Sequence, residues 1–248
     1  MTKILICFGT RPEAIKMAPV VKTCLSHQTI KTRVCVTAQH REMLDQVLDF
    51  FQIQPDIDLD LMQANQSLNQ LSARIIDKMD AVLVKEQPDW VLVHGDTTTS
   101  SMVALAAFHR GIKVGHVEAG LRTYDKYSPF PEEINRQLTG RIANAHFAPT
   151  QKAYDCLIRE GVKKEEVLIT GNTVVDALQI GLKLAKETDS QNLKKILDQL
   201  DSKKKLILVT GHRRENFGDG FVQLCKALAQ LAKRSDVEVV YPVHLNPN

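Results

Sequence analysis

In DWVLVHGDTTTSSMVALAAFHRGIKVGHVEAG, residues 89–120, two short apolar runs flank a longer segment. The runs 90–94 and 113–118 lack the polar–apolar alternation of a half-exposed strand, as expected when both sheet faces are covered. The stretch between them reads as a helix with Asp96 at its start, where a capping side chain belongs. Strand, helix and second buried strand form a crossover unit, and such units build parallel sheets. Outward from here the alternation continues, with strands expected at 3–8, 33–37, 146–148, 166–170, 205–210 and 237–243. The fold class is α/β, a parallel sheet covered by helices.

Composition agrees with a globular chain. Of 248 residues, 44% are apolar and 25% charged, and 32 basic against 29 acidic side chains leave a net charge of +3. Those proportions exclude a disordered or collagen-like polymer, and the interleaved charges, as in KKEE at 163–166, argue against a nucleic-acid partner. The length suits one large domain plus part of another. Cys7, Cys24, Cys35, Cys156 and Cys225 are odd in number and scattered, so neither a disulfide framework nor a zinc site is expected, and a reducing cytoplasm fits. The apolar run 4–8 is shorter than the roughly 7–15 residues of a signal-peptide core, and no run approaches the roughly 18 that would span a membrane.

Leu68, Leu71, Ile75, Ile76, Met79, Val82 and Leu83 draw one apolar stripe at helical spacing, with Ser67 and Gln70 as a capping box. A helix over 151–160 ends at Gly161, suited to a left-handed C-terminal position. The polar run 187–195 reads as a loop before a helix. A domain boundary is expected near 168–172, where a strand–turn–helix series starts afresh.

Ligands of open parallel sheets bind beyond the carboxyl ends of the strands, so residues there carry most weight. After the first strand, GTRPEAIKMAP holds Gly9 for a tight turn and Pro12 for a helix start, with Arg11 and Lys16 near the helix's positive end. This is either an anion site or a solvated helix start. No G-x-G-x-x-G or Walker pattern is present, which argues against a nicotinamide or P-loop nucleotide site. Asp96 and Glu118 end consecutive strands; Asp96 alone reads as a cap, but the pair reads as an acid–base site. Pro131 opens a helix with Glu132 and Glu133 in its first turn. Adjacent helical residues point about 100° apart, so at most one can aim squarely into the crevice. His212, with Arg213 and Arg214, follows a later strand and could contact phosphate or transfer protons. His94 and His116, at or within apolar strands, read as structural.

GTRPEAIKMAP, CVTAQHREMLDQ, LVHGDTTTS, GHVEAGLRT, SPFPEEINRQLTG, ITGNTVVDAL, LVTGHRRENFG and YPVHLNPN together resemble the non-hydrolysing bacterial UDP-N-acetylglucosamine 2-epimerases, from residue 3 to residue 248. The resemblance implies two Rossmann-like domains facing a cleft, the GT-B arrangement, with residues 1–170 as the first domain and 171–248 as the first part of the nucleotide-binding second. It also implies reversible interconversion of UDP-N-acetylglucosamine and UDP-N-acetylmannosamine, by elimination and re-addition of UDP and without a cofactor, for surface polysaccharide synthesis. Carried onto this sequence, it makes Asp96, Glu118 and Glu132 the acidic catalytic residues and His212 the partner of the leaving phosphate. Arg11 and Lys16 become substrate contacts. Gln39 and His40 match the region where a second UDP-N-acetylglucosamine binds as activator. A cytoplasmic homodimer is the implied state.

Three other readings remain open on the sequence. A GT-B glycosyltransferase shares the cleft but needs one main base, so three grouped carboxylates weigh against it; an epimerase of the hydrolysing kind would release free sugar and UDP. The chain could also be a non-catalytic ligand-binding fragment. In the family, segments beyond the last motif supply much of the uridine and diphosphate contact, so little or no turnover is expected of these 248 residues alone.

Overall fold

The computed structural model describes residues 1–37, 41–61, 63, 65–187, 191–210 and 219–242. They divide into two compact units, residues 1–187 and 188–248.

In the first unit, strands β1 (Thr2–Phe8), β2 (Ile30–Val36), β3 (Ile57–Asp58), β4 (Trp90–His94), β5 (Lys113–Val117), β6 (Ala145–Ala148) and β7 (Val167–Ile169) form one parallel sheet in the order β3-β2-β1-β4-β5-β6-β7. The expected strands are present with slightly different ends. β3 had no recognisable signal, since a two-residue edge strand has no periodicity to read. Helices α1 (Arg11–Ser26), α2 (Arg41–Phe50), α3 (Leu68–Glu86), α4 (Thr98–His109), α5 (Glu132–Ile142), α6 (Gln151–Arg159) and α7 (Thr173–Glu187) accompany the strands.

Alternate residues of β1 explain the unbroken apolar runs. Ile6 and Phe8 join a core with Met17 and Val21 of α1 and Leu44 and Leu48 of α2. Leu5 and Cys7 point into a second core with Leu71, Ile75 and Met79 of α3 and Val103 and Ala107 of α4. Both faces are covered, so polar residues have no place on the strand. The α3 stripe buries Leu71, Ile75, Met79, Val82 and Leu83, while Leu68, in the first turn, stays exposed. The capping box forms, with the Gln70 backbone N–H donating to Ser67 Oγ and the Ser67 N–H donating to Gln70 Oε1.

The order of strands places the topological switch between β1 and β4, where the chain turns from building one half of the sheet to building the other. Gly9 lies there for a reason other than the expected turn. A Cβ at Gly9 would collide with Thr37 and Thr99 Oγ1, which hydrogen bond to each other at 2.9 Å. Close approach, not backbone conformation, requires the glycine. Gly161 does adopt the left-handed conformation, at φ 88°, after α6.

The boundary expected near 170 marks where β7 ends, but compact packing continues to Glu187 because α7 lies against α1 and buries Ala177 in the first core. The second unit contains α8 (Gln191–Leu197), β8 (Lys205–Leu208), α9 (Asp219–Leu231) and β9 (Val237–Val240), with β8 and β9 paired in parallel. The polar run expected as a loop becomes helical from Gln191, where Leu193, Ile196 and Leu197 supply the spacing of a helix face.

Candidate functional site

At the switch, Glu13 ties the two halves of the sheet together. This buried carboxylate accepts hydrogen bonds from the Gly9 N–H at 3.1 Å, the Thr10 N–H at 2.8 Å and Thr97 Oγ1 at 2.7 Å. Burial raises its pKa, and the donated hydrogen bonds oppose the rise. Part of the anion-binding capacity expected at this helix start is thus taken by the protein's own carboxylate.

Lys16, one turn into α1, points to the end of β5. Its Nζ lies 2.7 Å from Glu118 Oε1 and 2.6 Å from Oε2, and Asn172 Nδ2 donates to Oε2 at 2.9 Å. Glu118 has a left-handed backbone, φ 62°, which costs a non-glycine residue about 1–3 kcal/mol and is held by the surrounding structure. Its side chain is 10% exposed against 25% for Lys16, so the pair is shielded from water mainly on the carboxylate side.

Asp96 follows β4 and pairs with Arg136, Nη2 to Oδ2 at 3.1 Å. The cap of α4 is Thr97, whose Oγ1 accepts from the Ser100 N–H at 3.0 Å, so Asp96 is released from the capping role. Burial pushes the Asp96 pKa up; Arg136 and Lys16 pull it down, and the neighbouring charges of Glu132 and Glu118 push it up again. The three carboxylates therefore share one electrostatic field.

On α5 the two adjacent glutamates separate as helical geometry requires. Glu133 is fully buried and accepts from the backbone N–H groups of Thr123 and Tyr124, both at 3.0 Å, and from Gln137 Nε2 at 2.8 Å. Burial alone would raise its pKa, but those hydrogen bonds hold it below the ordinary glutamate value. Glu132 is partly exposed and acts electrostatically on Asp96. Arg136 joins the two functions, with Nε 3.5 Å from Glu133 and its guanidinium on Asp96.

His116 donates from Nε2 to the Gly95 carbonyl at 2.7 Å, fixing the turn that presents Asp96. Burial pushes its pKa down to about 3, so the ring is neutral. His94, also pushed to about 3 by burial and then by Lys16, ends β4 with Nε2 3.9 Å from Glu118 Oε1.

Arg11 is elsewhere. Five residues before Lys16 on one helix, it faces about 140° away. It lines a cavity of about 590 Å³ with Ile15, Val47, Phe50, Leu178 and Leu182. His212, Gln39 and His40 lie outside the described residues. Sequence reasoning missed Arg136, Asn172 and Glu13. Arg136 sits four residues after Glu132, on the same helix face, a spacing that could have marked it; nothing local marks Asn172 as reaching Glu118. Among the described residues, no cluster of three or more metal-ligating side chains occurs, and no helix is long and apolar enough to cross a membrane.

The family model described as UDP-N-acetylglucosamine 2-epimerase matches residues 22–248. A UDP-N-acetylglucosamine 2-epimerase from Yersinia pestis is 55% identical over 249 residues, covering 99% of this chain and 66% of the relative. The one from Escherichia coli K12 is 53% identical over 249 residues, covering 99% and 66%. Among solved structures, the UDP-GlcNAc 2-epimerase from Neisseria meningitidis bound to UDP-GlcNAc is 49% identical with a TM-score of 0.89, covering 99% of this chain and 67% of that one. The Methanocaldococcus jannaschii enzyme in complex with UDP-GlcNAc and UDP is 31% identical with a TM-score of 0.81, covering 98% and 66%. The chain thus spans about two thirds of the length of the curated relatives it matches.

Proposed function

The chain belongs to the UDP-N-acetylglucosamine 2-epimerase family, and from that premise we propose that it serves reversible epimerisation of UDP-N-acetylglucosamine at carbon-2, giving UDP-N-acetylmannosamine. The observation that carries the reading is the grouping of Asp96, Glu118 and Glu132 in one field beyond the carboxyl ends of β4 and β5, with Lys16 and Arg136 as their counter-charges.

Direct removal of the carbon-2 proton would leave a poorly stabilised carbanion. Elimination avoids this: a base takes the proton, the bond from carbon-1 to the diphosphate oxygen breaks, and a carbon-1–carbon-2 double bond forms. Re-addition of UDP with proton delivery to the opposite face completes the inversion. Asp96, its pKa raised by burial, is suited to accept and return a proton. Glu118, held by Lys16 and Asn172, is suited to stabilise positive charge growing at carbon-1. Glu132 adds negative charge on the same side, and Lys16 can reach an anionic leaving group.

The rest of the assignment rests on the family. His212 would face the leaving phosphate, Arg11 would contact the nucleotide sugar, and Gln39 and His40 would line an activator site for a second UDP-N-acetylglucosamine. Residues 1–170 would carry the carboxylates and 171–248 would begin the nucleotide-binding part. A cytoplasmic homodimer completes the reading.

The test joins residues 1–248 to the remaining third of the Yersinia pestis relative and supplies UDP-N-acetylglucosamine in deuterated water without an acceptor. UDP-N-acetylmannosamine carrying deuterium at carbon-2 is expected. Product that forms only with a sugar acceptor, or free N-acetylmannosamine rising in step with UDP, would replace this reading with transfer or hydrolysis.

A further inference from the structure

His94 is almost completely buried, yet its Nε2 has no hydrogen-bond partner among the described residues. A buried polar atom without a partner is uncommon in a native structure and asks for a reason. Glu118 Oε1 lies 3.9 Å from it, too long for a hydrogen bond. Glu118 is held away by other partners. Lys16 reaches both of its oxygens, whereas Asn172 holds only Oε2. If Lys16 leaves, Oε1 is the oxygen left bare, and it is the one facing His94.

Lys16 is the member of the ion pair free to leave. Its side chain is 25% exposed against 10% for Glu118, and a lysine stem is flexible. An anionic ligand arriving at the strand ends competes with Glu118 for the same ammonium.

We propose that His94 is a positioning residue for Glu118: when an anionic ligand draws Lys16 away, the neutral His94 ring donates its Nε2 hydrogen to Glu118 Oε1. The carboxylate is handed from a mobile cation to a fixed, uncharged donor on β4, while Asn172 keeps the other oxygen. Glu118 thus keeps its orientation and its negative charge, and Lys16 is freed for the ligand. A carboxylate this close favours the tautomer with the proton on Nε2, which is the one the hand-over needs. Burial is the larger of the two causes that push the ring's pKa down to about 3, and it remains when the Lys16 ammonium, the smaller cause, turns away. The identity of the anion as a nucleotide sugar rests on the proposed function; the hand-over does not.

The experiment uses the 248-residue chain labelled with ¹⁵N-histidine and follows the His94 ring by NMR, assigned with His94→Gln. In Lys16→Met, without ligand, the Nε2 hydrogen is expected to shift downfield and exchange more slowly with solvent. In the wild-type sequence joined to the remaining third of the Yersinia pestis relative, the same change is expected on addition of UDP-N-acetylglucosamine, with Glu118→Ala as the control in which both changes vanish. An unchanged His94 ring in folded Lys16→Met overturns the proposal. Should Lys16→Met fail to fold, Lys16→Gln provides the same reading. Failure of UDP-N-acetylglucosamine to bind would count against the proposed function alone, since the ligand-free variant still decides the hand-over.

Discussion

Lys16 and Glu118, 102 residues apart in sequence, meet with Nζ within 2.7 Å of both carboxylate oxygens. The contact joins the start of α1 to the end of β5, across the switch point of the sheet. Glu118→Gln removes the charge but keeps the shape. Turnover in the joined protein should fall by about 10²–10³-fold, the usual cost of removing one preorganised contact to charge that develops in the transition state. Stability should change by about 1 kcal/mol or less, because the released ammonium is part-exposed and can turn to water. Steady-state rates and thermal unfolding check both halves; near-normal turnover would remove Glu118 from the mechanism.

Asp96 gives a prediction in pH. Its folded pKa is raised by burial, with Arg136 as the strongest opposing influence. The deprotonated form needed to accept a proton is present above that pKa and lost as pH falls through it. Arg136→Met removes the opposing charge, so the acidic limb of the pH–rate profile should move to higher pH. Stability runs the other way: a carboxyl that binds its proton more tightly when folded lends stability on acidification. A limb that stays in place would show that Asp96 does not titrate in the rate.

The neighbours Glu132 and Glu133 should separate cleanly. Glu133→Ala leaves the Thr123 and Tyr124 N–H groups without their acceptor and should cost about 2 kcal/mol or more. Glu132→Gln should leave thermal unfolding almost unchanged while slowing turnover. Glu133 has a depressed pKa, so its contribution is fully present above the ordinary glutamate value and disappears as pH falls through the lowered one. The stability gap between wild type and Glu133→Gln should therefore close in acid. Denaturant midpoints across the acidic range test it; a gap independent of pH would contradict the assignment.

Gly9→Ala should be destabilising by roughly 1–3 kcal/mol, because the new methyl collides with the hydroxyls of Thr37 and Thr99. Adding Thr37→Ala should recover part of that loss, read as a shift in the denaturant midpoint. No recovery would place the strain somewhere other than this contact.

Much of the fold could be read from residue order because burial on both faces of a parallel sheet leaves a local trace: unbroken apolar runs such as 90–94, helical stripes such as Leu71–Ile75–Met79, and a capping box at Ser67. Asp96, Glu118 and Glu132 were legible for a related reason, since strand ends and helix starts are recognisable positions where a polar group needs an explanation. A two-residue edge strand like β3 carried too little pattern to read, and the short Leu193, Ile196 and Leu197 stripe of α8 began inside a run otherwise polar enough to read as a loop.

What residue order could not say is which side chains satisfy one another, because those contacts join segments far apart in the chain. That Glu133 clamps two backbone N–H groups while Glu132 acts on Asp96, that Thr97 and not Asp96 caps α4, and that Lys16 meets Glu118 while Arg11 lines an apolar cavity were decided by tertiary packing. Sequence by itself determined the α/β class, the crevice and the carboxylates at its edge, since each depends on local periodicity and position. Tertiary structure alone decided the partners of those carboxylates and the raised pKa of Asp96, since burial and distance to the next charge exist only once the strands are side by side.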